Sequence, residues 1–154
     1  MTAAALKTPA DLTITPRDRR FGRNAKQDRW WLGGDPIATA FYNALSITFP
    51  RGEAFFIESV KAFRDGAPEK LAREIRAFVQ QEIMHTREHV AFNKRVSEAG
   101  YDISGLEKKV VESLELTKNR PLILNLAVTM ALEHYTAIMA TQMITDKKLW
   151  KGAD

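Results

Sequence analysis

Between Arg120 and Asp146 the chain runs through twenty-five positions with one residue fully charged at pH 7, Glu133. Leu122, Ile123, Leu124, Leu126, Val128, Met130, Leu132, Ile138, Met139 and Met143 cover the whole circumference of the helix these residues would form. A helix apolar on every side is either the central helix of a core or a membrane span. The stretch is long enough to span a bilayer. An acid at its middle would cost at least about 2.5–3.5 kcal/mol there. Asn125, Thr129, His134 and Gln142 also oppose a span, so the expectation is a buried helix at the middle of a bundle, without a membrane.

The rest of the chain is punctuated as helices. Asp35-Pro36 reads as an N-cap with proline at the first helical position. The helix it opens, 36–48, should break near Thr48-Phe49, because Pro50 removes a backbone donor and crowds the preceding turn. A second helix is expected from Gly52 to Arg64, closing at Asp65-Gly66. The clearest runs from 68 to Ala99, with Leu71, Ile75, Phe78, Phe92 and Val96 at three- and four-residue steps before Gly100. Ser104 to Asn119 and Pro121 to about Ile144 complete the set. No segment alternates like a strand, so the class is all-α. At 154 residues and 45% apolar, one domain with a real core is expected: an irregular N-terminal arm over 1–34 and a helical bundle over 35–154.

The net charge of +4 and the absence of cysteine narrow the chemistry. Disulfides, thiolate catalysis and thiolate-held metals are excluded. Residues 1–7 lack the apolar core of a signal peptide, and a cytoplasmic setting is expected. Arg17, Arg19, Arg20, Arg23, Lys26 and Arg29 cluster ahead of Trp30 and Trp31. Such a stretch could grip phosphates and stack bases. The favoured reading is an arm anchored by its tryptophans, with arginines paired to acidic helices, and nucleic acid ranks last among partners.

Three glutamates stand where hydrophobes belong. Glu53 shares a face with Phe49, Phe56, Ile57 and Val60. Glu82 follows Phe78 by four and continues through His85 and His89 to Phe92 and Val96. Glu133 aligns with Leu126, Thr129, Ala137 and Ala140. A carboxylate in a core takes up a proton, pairs, or binds a cation. The nearby cations, such as Lys61, Arg64, Lys70, Arg73, Arg76 and Arg87, fall mostly on the opposite faces, and the inward partners are histidines. Glu82-Ile-Met-His85 is an E-x-x-H pair, whose carboxylate and imidazole share one helix face. Di-metal bundles take a glutamate from each of two helices and an E-x-x-H from each of the others. Glu53, Glu82, His85 and Glu133 are therefore the candidate metal ligands. His89 is open to three roles: ligand, donor to a carboxylate, or substrate-facing base. Carboxylate-rich ligation suits iron or manganese ahead of zinc.

The runs Asn43–Phe56, Phe78–Asn93 and Ala131–Ala137 together resemble the bacterial "predicted metal-dependent hydrolase" family. The resemblance covers about residues 28 to 154. It implies a ferritin-like bundle with a carboxylate-bridged centre, ligands at Glu53, Glu82, His85 and Glu133, and His89 as neighbour or further ligand. Family members are longer, and their later part supplies a second E-x-x-H, which does not follow Glu133 here. The bundle is thus expected to lack its last ligand helix. Truncation, completion by a second copy, or a degenerate site would each explain that, and self-association is the expectation for the chain as it stands. Three readings follow: a hydrolase acting on an unidentified small molecule, an oxidase built on the same ligands, or a non-catalytic helical scaffold.

Overall fold

The computed structural model describes residues 13–22 and 26–153. Residues 1–12 of the arm, and Arg23 of the basic cluster, lie outside the described residues. The described chain is helical: α1 (Pro36–Lys61), α2 (Glu69–Glu98), α3 (Ser104–Glu115) and α4 (Leu122–Thr145), then one 3-10 turn over Lys147–Trp150. The all-α expectation holds. α3 ends four residues before the expected Asn119.

The caps follow from local chemistry. Asp35 Oδ1 accepts from the backbone N–H of Ile37 at 2.8 Å and Ala38 at 3.0 Å, so the expected N-cap is present. Gly100, at φ 89°, closes α2, a conformation that penalises any residue with a Cβ.

The expected break at Pro50 does not occur, and α1 runs unbroken through it. Proline leaves the carbonyl four residues earlier, that of Ser46, without its helical donor. Asn93 of α2 supplies the replacement, its Nδ2 donating to Ser46 O at 3.2 Å. The missing bond is made across the bundle, which is why helix-local rules misplace the boundary.

α1, and not α4, is the central helix. α2, α3 and α4 each pack against α1, and among the described residues α2 and α4 make no close backbone approach to one another. α4 buries Thr129 alone, whose hydroxyl meets Ser59 of α1 at 2.6 Å. Its other faces stand open, with Ile123 63%, Met130 65% and Tyr135 71% exposed. The expectation of a buried central helix is corrected: α4 is apolar all round but covered on one side. By length and composition it could also cross a bilayer.

The buried face of α1 is polar. Thr39, Asn43, Ser46 and Glu53 fall on one stripe at helical spacing, and buried polar residues outnumber buried apolar ones by eight to five among the described residues. Such groups need partners, and the arm and α2 provide most of them, the Asn43 Nδ2 remaining unpaired. Thr39 Oγ1 accepts from Leu32 N at 3.2 Å, and Asn43 Oδ1 accepts from Trp31 Nε1 at 3.0 Å. Trp31 also meets Phe92 edge-on at 5.6 Å, so this tryptophan does anchor the arm. The arm runs along α2, but the polarity of the grip is partly the reverse of that expected. Arginines of α2 hold the arm, with Arg87 on Asp18 and on the carbonyl of Arg19, and Arg95 on the carbonyl of Gly22. Arg29 of the arm donates to the Gly100 carbonyl at 3.2 Å and lies over the Tyr101 ring.

Candidate metal centre

Glu53 lies on α1's buried face, 1% exposed. Thr86 of α2 donates to its Oε2 at 2.6 Å. Among the described residues no lysine or arginine pairs with it, and His89 Nε2 lies 3.9 Å from its Oε1. Burial pushes the Glu53 carboxyl from 4.5 up to about 7, against the opposing pull of the Thr86 hydroxyl and with a further push from Glu82.

Glu82 is buried at 5% exposure on the facing surface of α2. One turn on, His85 Nδ1 lies 3.6 Å from Glu82 Oε1, an ion-pair separation longer than a hydrogen bond. The Glu82 carboxylate raises the His85 pKa, with burial opposing. Ligating atoms of Glu53, Glu82 and His85 all fall within 4.8 Å of one another. The E-x-x-H pair and the α1 glutamate thus converge, as the sequence led one to expect. His85 is less inward than expected, its side chain 51% exposed at the rim.

Glu133 lines the same cleft from α4 but stands outside that tight trio. It is half-buried, and burial with the Glu82 charge raises its pKa.

The hydrogen-bond network dictates the tautomer of His89. Asn93 is oriented by its Nδ2 bond to Ser46 O, so its Oδ1 is an acceptor, and it receives the single hydroxyl hydrogen of Ser46 at 2.8 Å. Ser46 Oγ, 2.9 Å from His89 Nδ1, can then only accept. His89 Nδ1 therefore carries the proton, and the Nε2 lone pair is the side toward Glu53. Phe49 stacks on the imidazole at 4.3 Å and 4°. Burial, reinforced by the charge of His85, lowers the His89 pKa to about 4, so the ring is neutral at physiological pH.

His85 is oriented by the same logic. Gln81 Oε1 accepts from the Arg17 backbone N–H at 2.9 Å, which leaves its amide nitrogen to meet His85 Nε2 at 3.0 Å. In the neutral ring the His85 proton is then on Nδ1, facing Glu82, where a bound cation would displace it.

Thr86, Ser46 and Asn93 were not singled out from the sequence. The available signal was spacing: Ser46 lies seven residues before Glu53, Thr86 four after Glu82 and Asn93 four after His89, each on a face already identified.

The chemistry of this donor set fits a divalent cation. Two buried carboxylates, one of them held near neutrality by burial, and an imidazole offer hard oxygen and nitrogen ligands with no competing basic side chain. An all-α chain with glutamates from separate helices and an imidazole at one point is the class that fold and site define. A family model described as "predicted metal-dependent hydrolase" matches residues 15–154, and the chain belongs to that family. No curated protein and no solved structure matches it.

Proposed function

We propose that this chain is a hydrolase that holds iron or manganese between Glu53, Glu82 and His85, with Glu133 reaching the same ion, or a second one, from α4. The observation that carries the reading is Glu53: a carboxylate 1% exposed, without a basic partner, whose oxygen lies within 4.8 Å of two further ligand atoms. A cation removes the cost of that arrangement, which otherwise keeps the carboxyl partly protonated.

Bound there, a divalent ion supplies Lewis acidity and lowers the pKa of a water it holds. The remaining roles belong to the chain. Thr86 fixes the Glu53 carboxylate by its hydrogen bond. His89 enters the reaction unprotonated, with Nε2 turned to the cluster, and takes the proton of the attacking water. A ring whose pKa is held at about 4 is a weak base, so it suits only a water whose own pKa the cation has already lowered. Ser46 and Phe49 keep its ring plane and tautomer during the exchange. A cysteine-free chain is compatible with a cytoplasmic setting.

Elemental analysis of protein grown with ample iron and manganese tests the centre. Near-stoichiometric metal, lost in Glu82→Gln and His85→Ala, is expected, whereas less than about a tenth of an equivalent in wild type sinks it. His89→Ala should retain the metal and lose about 10²–10⁴-fold in ester or amide turnover under argon. Loss of the metal instead would make His89 a ligand. Oxygen uptake by the ferrous protein without hydrolysis would move the chemistry to oxidation on the same ligands.

A further inference from the structure

α2 and α4 rest on α1 without approaching each other, and the space between them is a cleft of about 630 Å³. That lies within the roughly 300–1,000 Å³ typical of small-molecule sites. The cleft is asymmetric along its length. Glu53, Glu82 and His85 stand at one end. Away from them, toward the start of α1 and the end of α2, the walls are mostly apolar, through Leu45, Phe49, Phe92, Met139 and Met143, with the Arg95 guanidinium engaged on the Gly22 carbonyl. Along α2, ten residues, about 15 Å at 1.5 Å per residue, separate Glu82 from Phe92.

We infer that the cleft takes a linear amphiphile, an ester or amide of an acyl-type chain, whose body lies along Phe49, Phe92 and Met143 and whose hydrolysable group meets the carboxylate–histidine end. The identity of the reacting head rests on the hydrolase reading above; binding of the apolar body does not. Rings and thioethers at the far end give such a body shape-tolerant contact, with flexible methionines adjusting to its length. Each methylene removed from water is worth about fourfold in affinity, since ~0.8 kcal/mol per CH₂ corresponds to that ratio. A short polar substrate would leave this wall wet and draw nothing from it.

The test is equilibrium binding of straight-chain 1-alkanols, butanol to decanol, to the metal-free full chain, read by displacement of a fluorescent apolar dye. Affinity should rise about fourfold per methylene until the chain fills the cleft, then level off. Ala140→Trp, which sets an indole into the cleft from α4, should abolish the length dependence. Met143→Phe, a milder change at the far end, should bring the levelling-off to shorter chains. Leu116→Ala, exposed beyond the end of α3 and outside the cleft lining, should leave the series unchanged. Affinity flat with chain length, or both cleft variants binding as wild type does, overturns the inference. So does a dimer that binds no alkanol, which would mean that a second copy fills the cleft. A chain that binds alkanols by length but no metal refutes the hydrolase reading and leaves the cleft assignment standing. Metal without length dependence does the reverse.

Discussion

At the residue scale, Glu53 concentrates the unusual energetics of the molecule. Its pKa is raised, so the folded chain binds the Glu53 proton more tightly than the unfolded chain does. The stability contributed by that proton is complete below 4.5 and is lost as pH rises to about 7. In metal-free protein, Glu53→Gln should therefore match wild type near pH 4.5 and exceed it by on the order of 2–4 kcal/mol at pH 8, measured by urea unfolding. With metal bound the ranking should invert, because glutamine surrenders a charged ligand. His89 has the opposite sign: its lowered pKa costs stability as pH falls from 6.5 toward about 4. The two slopes oppose each other in wild type between about 4.5 and 6.5, which is why the Gln-minus-wild-type difference is the quantity to measure. A second expectation concerns the His89 proton. Long-range ¹H–¹⁵N spectra should show the Nδ1–H form, and Ser46→Ala should lose about 1–3 kcal/mol by leaving that donor unpaired.

At the element scale, α1 owes its continuity to a contact outside itself. Asn93→Ala orphans the Ser46 carbonyl and should destabilise by about 1–3 kcal/mol. Pro50→Ala restores a backbone donor to that carbonyl, so the double variant Pro50→Ala/Asn93→Ala should recover part of the loss. A double-mutant cycle in urea should show coupling of at least about 0.5 kcal/mol, and strict additivity would contradict the cross-bundle bond. The Asp35 cap was legible in the sequence because an N-cap is satisfied within three residues. The continuity through Pro50 was not, because the compensating amide lies 43 residues beyond the proline. α4 shows the same limit in another form: hydropathy marks it for burial but does not say which face is covered.

At the scale of the whole molecule, self-association is predicted through the open side of α4. Leu124, Tyr135 and Ile138, 45%, 71% and 46% exposed, stand on the side away from Glu133 and the cleft. Contiguous apolar surface of this kind marks an interaction site in a folded protein. A second copy is the expected occupant, its equivalent helix offering the same face under two-fold symmetry. Light scattering should give the mass of a dimer, and Ile138→Glu should shift it to monomer while leaving metal content unchanged. A monomeric wild type at about 100 μM would refute self-association through this face, since weaker contacts carry less than about −5.5 kcal/mol. The basic arm belongs to this scale as well. Its described part lies along α2, with Trp31 committed to Asn43 and Phe92, so that ring is not free to stack on a base.

The sequence by itself determined the helical class, the ends marked by Asp35 and Gly100, and the inward placement of Glu53 and Glu82. These are local or periodic properties, readable from residues within a turn or two of one another. Tertiary structure decided which helix is central, which carbonyl accepts the Asn93 amide, and that Glu53, Glu82 and His85 draw together while Glu133 stays at the wall. Those outcomes depend on contacts between residues far apart in the chain, and helical periodicity gives the direction a side chain points but not what it meets.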